Sequence, residues 1–514
     1  MACLTAALLS ACGSLPREVA RAPSQALAPS PESALVRTAQ ASVPSPDVSG
    51  FRLMPLGAFS LDTRLQLAQR AQRSLDVQYY VLENDPTGRL LIQRLHAAAA
   101  RGVRVRLLVD DLYTGNSHEL LRSLAAFPNV QVRLFNPFCC WRQRGPIGRF
   151  AGSIFDVKRL NHRMHNKLFI ADNAMAVAGG RNIADEYFMR STAQNFVDMD
   201  AFMVGGVVAD LSKIFDSYWN SEVVYPIEAI DRSGLSAEQL QEVYGRLMAL
   251  TPIADLPDPD PVDALGYGPL REELDGERIG LVWGKSRAYA DPPEKLLSET
   301  RAAAVATSLT RDALMTLWMA QSELVVTSPY LIPGKSGMKE IEQLRARGVK
   351  ITILTNSLAA TDEPLVHTGY SRYRFEMLQH GVDLYELSPL RTRNSMRLGM
   401  FGSSLGRLHA KTAVMDRKLV FIGSMNLDPR SESQNTELGI FIESPSLAKE
   451  LLRIVNISKL ESAYKVRLSK DGQRIEWLTT DEDKEAVLYN EPESTFLLRL
   501  HNLLLAPFVP EQLL

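Results

Sequence analysis

The sequence predicts an α/β protein of two similar lobes. Each is a mixed, largely parallel sheet flanked by helices, and the two are related by a pseudo-twofold axis. Three observations carry this reading. Strand-like and helix-like stretches alternate, which argues for parallel strands with covering helices. The alternation runs twice in the same order. One segment also recurs nearly intact: Arg101-Gly-Val-Arg-Val-Arg-Leu-Leu-Val109 matches Arg347-Gly-Val-Lys-Ile-Thr-Ile-Leu-Thr355.

The elements follow in order. A short apolar run ends in Leu9-Ser10-Ala11-Cys12, the form of a bacterial lipobox whose cysteine is lipidated. No basic residue precedes Cys12, whereas a complete signal peptide has a charged start, so a chance Leu-Ser-Ala-Cys is the alternative. Residues 15–49 are rich in Ala, Ser and Pro without a hydrophobic period, a tether composition. Residues 1–50 are therefore read as leader and flexible tether. The first lobe spans 51–225, with strand-like 74–81, helix-like 89–100, strand-like 101–109 and strand-like 130–135. Residues 226–278 hold a helical pattern at 236–249 and then a linker dense in Pro, Asp and Gly. The second lobe, 279–460, repeats the order at 323–330, 336–346, 347–355 and 382–387. The tail, 461–514, has a polar hairpin-like part and an apolar end from Phe496 to Leu505. That end is expected to pack on its own domain, with a bilayer surface as the alternative. No apolar run reaches about 18 residues, so no transmembrane helix is predicted.

Composition narrows the function. The chain has 514 residues, 46% hydrophobic and 23% charged, which excludes wholesale disorder and a polytopic membrane protein. The net charge is −2, without the basic excess of proteins that hold nucleic acid by phosphate neutralisation. The four cysteines show no zinc spacing. Cys139 and Cys140 are expected to be buried thiols, with a strained vicinal disulfide as the alternative.

Chemistry is concentrated in one motif present twice. His165-Asn-Lys167-Leu-Phe-Ile-Ala-Asp172 and His409-Ala-Lys411-Thr-Ala-Val-Met-Asp416 both read HxKxxxxD. Each is followed by a Gly-x-x-Asn, Gly179 to Asn182 and Gly423 to Asn426. A lone copy is weak evidence. Two copies at corresponding places of an internal repeat are not chance.

The spacing has a physical sense. In extended chain, residues i and i+2 share a face, so each motif presents an imidazole and an ammonium together, ahead of a hairpin. Two such hairpins facing across a twofold axis would hold two imidazoles and two ammoniums. That set suits phosphodiester chemistry without a metal. Lys167 and Lys411, with Asn182 and Asn426 as neutral donors, would hold the non-bridging oxygens and stabilise transition-state charge. One histidine would attack phosphorus and the other protonate the leaving oxygen, then deprotonate the incoming hydroxyl. The spacing leaves open which does which. Asp172 and Asp416 lie too far along to reach the phosphate and are read as anchors of the hairpin turn. Asp198 and Glu437 are the better partners for the histidine ring N–H groups, where a carboxylate fixes the tautomer.

These paired motifs resemble the phospholipase D superfamily over about 51–460. Further segments are similar to bacterial cardiolipin synthases of the C type and related lipoproteins: Asn161-His-Arg-Met-His-Asn-Lys167, Phe196-Val-Asp-Met-Asp200, Tyr218-Trp-Asn-Ser221, Asp291-Pro-Pro-Glu-Lys295 and Ser328-Pro-Tyr-Leu-Ile-Pro333. The first copy departs in reading Gly179-Gly-Arg where Gly-Ser or Gly-Gly-Ala is commoner in the superfamily. The resemblance implies a covalent phosphohistidine, no cofactor and no required metal, with Asp198 and Glu437 orienting the histidines. It favours His165 as nucleophile and His409 as acid and base. It also implies transfer of a phosphatidyl group to phosphatidylglycerol, with phosphatidylethanolamine as donor. A phospholipase D using water as acceptor, and less so a nuclease, stay open as alternatives. The expected setting is the periplasmic side of a bacterial envelope membrane, reached through a lipid anchor on Cys12. Phospholipids would be the partners, with an accessory membrane protein as a further candidate and no nucleic acid. Two motifs in one chain make a monomer sufficient.

Two neighbouring clusters have competing readings. Arg142, Arg144, Arg149, Lys158, Arg159 and Arg163 crowd the approach to the first motif, as an anion-attracting surface or a solvated loop. His367, Tyr370, Tyr373 and Arg374 fall at helical spacing, as a headgroup wall or a structural face. Trp219 and Trp283 are expected in the core rather than at lipid.

Overall fold

The computed structural model describes residues 15–505 except 17, 140–148, 150–152, 154–155, 232, 250–259, 277, 299, 396, 400 and 482–483. Cys12, Cys140, Arg142 and Arg144 lie outside the described residues.

The first lobe contributes strands β1 (Ser49–Met54), β2 (Ser74–Tyr79), β3 (Arg104–Asp110), β4 (Val130–Phe135), β5 (Leu168–Ala171), β6 (Met175–Gly179), β7 (Gln194–Val197), β8 (Asp200–Gly205) and β9 (Val224–Pro226). The second contributes β10 (Val282–Ala290), β11 (Glu323–Thr327), β12 (Lys350–Asn356), β13 (Asp383–Leu387), β14 (Leu405–Leu408), β15 (Thr412–Met415), β16 (Leu419–Gly423), β17 (Leu438–Glu443) and β18 (Ala463–Leu468). Two more, β19 (Ile475–Asp481) and β20 (Lys484–Leu488), extend the second lobe as a meander.

Strand order makes the repeat explicit. From its joint with the other lobe outward, the first lobe runs β1, β8, β6, β5, β2, β3, β4, β9. The second runs β10, β17, β16, β15, β11, β12, β13, β18. In both, the β2–β3–β4 and β11–β12–β13 pairings are parallel and the rest antiparallel. Helices Pro86–Ala100 and Gly334–Ala346 make the first parallel crossover of each lobe, as parallel neighbours require a crossover. Antiparallel pairing of β1 with β10 joins the lobes into one sheet of 18 strands. Between the lobes, Phe215 and Trp219 share a buried cluster with Leu408, Val414 and Leu451, and the paired motifs lie beside it.

One terminal expectation is corrected. Residues 18–42 are not a free tether but lie on the first lobe. Buried Arg106 and Arg133, on adjacent strands, donate to the carbonyls of Ser24 (3.0 Å) and Ala22 (2.7 Å). Asn173 donates to Leu27 O, and Ser33 caps helix Ala34–Ser42, whose Leu35 and Val36 are buried. Composition missed this because the extended segment is held through backbone carbonyls, which any side-chain pattern supplies. In the tail, β18 to β20 continue the second sheet, with β19 and β20 paired as a hairpin. Its helix, Phe496–Leu505, runs beside helix Pro364–Gln379 yet leaves Leu497 and Leu503 more than 70% exposed. Among the described residues, no helix is long and apolar enough to cross a membrane.

Candidate active site

The two motifs are built alike. His165 and Lys167 lie in extended chain just ahead of β5, and His409 and Lys411 just ahead of β15, rather than inside the strands. Each lysine curls back onto its own histidine: Lys167 Nζ donates to His165 O and Lys411 Nζ to His409 O, both at 2.5 Å. All four side chains are buried. Two residues in left-handed backbone follow each strand, Asp172-Asn173 and Asp416-Arg417, forming tight hairpin turns. Asp172 accepts from the backbone N–H groups of Arg73 (2.8 Å) and Ser74 (3.0 Å). Asp416 does the same for Ser322 (2.7 Å) and Glu323 (3.0 Å). Both carboxylates therefore clamp the start of the neighbouring strand, at the far end of their own strand from the histidines.

The lobes complete each other crosswise. β14 pairs in parallel with β7 across the lobe boundary, setting Leu408 opposite Val197. The next residues are then neighbours, and His409 Nδ1 lies 2.6 Å from Asp198 Oδ2. In the pseudo-equivalent place Met164 pairs in parallel with Thr436, and His165 Nδ1 lies 3.0 Å from Glu437 Oε2. Neither lobe holds a histidine together with its own carboxylate.

The residue before each histidine is fixed from within its own lobe. Asp110 ends β3 and accepts from Met164 N (2.9 Å) and Arg163 (3.0 Å). At the corresponding end of β12, Asn356 both accepts from Leu408 N and donates to Leu408 O, each at 2.9 Å. The sequence signal for these positions is the repeat itself, since both directly follow the segment matched in the two halves. The second lobe adds a buried lysine: Lys295 Nζ donates to Asp291 (2.9 Å), Ser431 O (3.0 Å) and Asn435 O (2.7 Å). Asp291 in turn accepts from Glu437 N at 2.9 Å. The segment Asp291–Lys295 thus fixes the chain at Glu437, just ahead of β17.

The carboxylates differ in their surroundings. Ser424 and Ser431 both donate hydroxyls to Glu437. In the first lobe, Gly180 stands where Ser424 does, and a Cβ there would sit 2.0 Å from Asp198 Oδ1. The departure Gly179-Gly-Arg is a fit to Asp198. The asparagines also differ. Asn182 is tied to Val81 N (3.2 Å) and Tyr187 Oη (2.9 Å), whereas Asn426 Oδ1 is buried without a partner among the described residues.

Electrostatics follow from burial among cations. Burial, reinforced by repulsion from Lys167 and Lys411 and opposed by Glu437, lowers His165 to about 4. Burial and Lys411 also lower His409. Against its own burial, the His409 ring and Lys411 hold Asp198 at about 2. Burial lowers Lys411 to about 8 and takes Lys167 well below the usual amine range. His165 is therefore a neutral imidazole that donates Nδ1–H to Glu437 and keeps a free lone pair on Nε2, while Asp198 holds Nδ1 of His409.

Aromatic rings wall the site, and sequence reasoning missed them. Tyr80 stands 5.0 Å from the His165 ring and 5.3 Å from Lys167 Nζ. Tyr187 and Phe196 stand 5.1 and 5.0 Å from the His409 ring. Arg430 reaches across the boundary to Asn161. No spacing rule marks these residues, because they come from four separate loops and strands.

Other expectations resolve as structure. Within the basic approach segment, Arg149 and Arg163 are buried on Asp111 O (2.6 Å) and Asp110 (3.0 Å), whereas Lys158 is exposed. Arg374 and Tyr370 form no headgroup wall; they bond buried Glu386 at 2.9 and 2.7 Å, and Arg374 also holds tail residue Glu491 at 2.6 Å. Their aromatic and cationic character serves a polar clamp on the tail. Trp219 is fully buried. Cys139 is half-buried, its Sγ 3.6 Å from Ser153 Oγ.

Residues 65–219 and 314–457 match the family described as "Cardiolipin synthase, PLD-like domain". The chain belongs to this phospholipase D-like family. It is 39% identical over 461 residues to cardiolipin synthase C of Escherichia coli K12, covering 87% of this chain and 91% of that protein. A Helicobacter pylori J99 protein is 31% identical over 463 residues, covering 89% of this chain and 88% of the relative. The fold is similar to the crystal structure of phosphatidylserine synthase from Haemophilus influenzae Rd KW20. There the TM-score is 0.56 at 12% identity, over 90% of this chain and 95% of that one. The family match falls on both lobes and includes both motifs, as the repeat requires.

Proposed function

We propose that this chain is a phosphatidyltransferase that forms cardiolipin, taking a phosphatidyl group from phosphatidylethanolamine and passing it to a hydroxyl of phosphatidylglycerol. The observation that carries the chemistry is the crossed pair of histidine–carboxylate contacts around two buried lysines. His165, the ring lowered to about 4, keeps its Nε2 lone pair and attacks phosphorus. His409 takes up a proton on Nε2 from solvent when the anionic phosphodiester binds beside it, and the bond to the leaving ethanolamine oxygen breaks as His409 gives that oxygen this proton. His409 then takes a proton from the phosphatidylglycerol hydroxyl, whose oxygen displaces His165. Cardiolipin and ethanolamine are the products, and both histidines return to their first state. Lys167, Lys411 and the side-chain N–H of Asn426 stabilise the charge on the phosphoryl oxygens throughout.

The substrate choice is supported by the 39% identity to cardiolipin synthase C. The same chemistry with water as acceptor would give phosphatidic acid. Attachment through a lipid on Cys12, on the periplasmic side of the envelope, is part of the proposal. So is the sufficiency of one chain, because one chain supplies both histidines and both carboxylates. The test is lipid mass spectrometry of purified protein with phosphatidylglycerol vesicles, with and without phosphatidylethanolamine. Cardiolipin formed only with both lipids supports the proposal. Cardiolipin from phosphatidylglycerol alone changes the donor, and phosphatidic acid without cardiolipin overturns the transferase reading.

A further inference from the structure

The two lobes repeat each other closely, yet one cavity breaks the symmetry. In the first lobe, helix Gly57–Arg70 packs directly on helix Pro86–Ala100, and Leu61 and Leu65 are buried between them and the sheet. The corresponding helices of the second lobe are Leu309–Leu317 and Gly334–Ala346, the first shorter by more than a turn. They stand apart, and a cavity of about 290 Å³ opens between them and the sheet. Its walls are Leu314, Trp318, Leu331, Ile341, Ile351 and Ile353. Leu314 and Trp318 are only half-buried, and Met315 and Met319 beside them on the outer surface are 57% and 66% exposed.

The inner end of this cavity belongs to the active-site loop. Leu427, Asp428 and Pro429 line it, directly after Asn426. Asp428 caps the short helix Pro429–Ser433 by accepting from Ser431 N at 2.7 Å. Ser431 Oγ in turn accepts from Asn426 N (3.2 Å) and donates to Glu437 (2.8 Å). One short helix therefore forms the cavity floor on one side and holds the carboxylate of His165 on the other. An apolar slot between two helices that ends on the loop following Asn426 fits a chain, not a compact solute.

We infer that this cavity receives a fatty acyl chain of a phospholipid substrate, so that the second lobe grips the lipid by its tail while the paired motifs act on its phosphate. The inference rests on the lipid-transferase reading. It explains why a nearly symmetric site would hold its two lipids differently: in the first lobe the corresponding helices pack on each other. Burial of each methylene there favours long chains over short ones.

The test combines turnover with labelling. Leu314→Trp fills the slot from a half-buried position. It should lower kcat/KM for dioleoyl-phosphatidylglycerol at least tenfold while dihexanoyl-phosphatidylglycerol is used within about twofold of the unaltered protein. Leu314→Ala, which enlarges the slot, should not show that loss. Equal loss on both lipids, or no loss on either, in the Trp variant overturns the inference. A phosphatidylglycerol carrying a diazirine near the acyl terminus is photolysed with the full chain and mapped by mass spectrometry. Label within 310–353 supports the slot, and label confined to other segments contradicts it. Because labelling needs no turnover, a protein that labels there yet makes no cardiolipin refutes the transferase reading and leaves the acyl site standing.

Discussion

His409 Nδ1 and Asp198 Oδ2 lie 2.6 Å apart across 211 residues of sequence. His165 and Glu437 repeat the contact in the other direction at 3.0 Å. Each lobe thus lends its carboxylate to the other lobe's imidazole, and the parallel pairing of β7 with β14 sets the register. The reaction centre exists only when the lobes are joined.

The carboxylates should matter through the histidines they face. Asp198→Asn and Glu437→Gln keep the shape but remove the charge that fixes the tautomer. Each should lower kcat by about 10²–10⁴-fold with little change in KM. Steady-state kinetics on mixed micelles measure this. A KM effect without a kcat effect would mean that these carboxylates serve lipid binding instead.

The glycine and the serine before the two asparagines should not be interchangeable. Gly180→Ser puts a Cβ 2.0 Å from Asp198 Oδ1 and should abolish activity and lower Tm. Ser424→Ala removes one donor to buried Glu437 and should cost about 1–3 kcal/mol of stability with partial activity. Thermal melts and turnover of the two variants together decide it. A fully active Gly180→Ser protein contradicts the geometry.

Alkaline pH should switch the enzyme off. Burial lowers Lys411 to about 8, so its ammonium is lost well below the usual range of a lysine. The charge is needed to hold phosphate, and kcat/KM should fall on the alkaline side from about that pH. A profile flat to pH 10 would remove Lys411 from phosphate binding.

Acid should destabilise the fold through His165. Its folded value of about 4 lies below the ordinary 6.5, so protonation favours the unfolded chain. Its contribution is complete above about pH 6.5 and is lost as pH falls toward 4. Tm of the unaltered protein should therefore drop more between pH 7 and 4 than Tm of His165→Asn. Parallel curves would show that His165 is not held neutral by the fold.

The strand-end anchors should act on both stability and rate. Asp110→Ala leaves Arg163 buried without its carboxylate and frees Met164 N. The expected loss is about 3–5 kcal/mol, with a fall in kcat as His165 loses its register. Asn356→Ala removes two hydrogen bonds but no charge, and should cost less. Denaturant melts rank the two, and the opposite ranking would count against the Asp110–Arg163 contact.

Much of this was legible in the sequence, for identifiable reasons. The doubled HxKxxxxD and the recurring Arg-Gly-Val segments fixed both lobes and the four histidine and lysine positions, because alternation and spacing are local properties. Asp198 and Glu437 were also visible as carboxylates downstream of each motif. Their crossed pairing was not, because it depends on β7 meeting β14 in space, and no local pattern encodes which chain a strand will adjoin. Tyr80, Tyr187 and Arg430 escaped for the same reason. Residues 18–42 misled by composition: an Ala/Ser/Pro segment has no side-chain signature when buried arginines hold its carbonyls. The apolar slot was invisible because it arises from one helix being shorter than its counterpart.

The central claim is a division of labour in which His165 carries the phosphatidyl group and His409 moves the proton. Phosphatidylethanolamine labelled with ³²P at its phosphate is mixed with the protein, quenched within milliseconds in alkali and digested, and the labelled peptide is identified by mass spectrometry. The account predicts a phosphohistidine at position 165 that disappears when excess acceptor lipid is added before the quench. Label at His409 would reverse the roles, and quenched protein with no covalent phosphate under conditions of turnover would contradict the account.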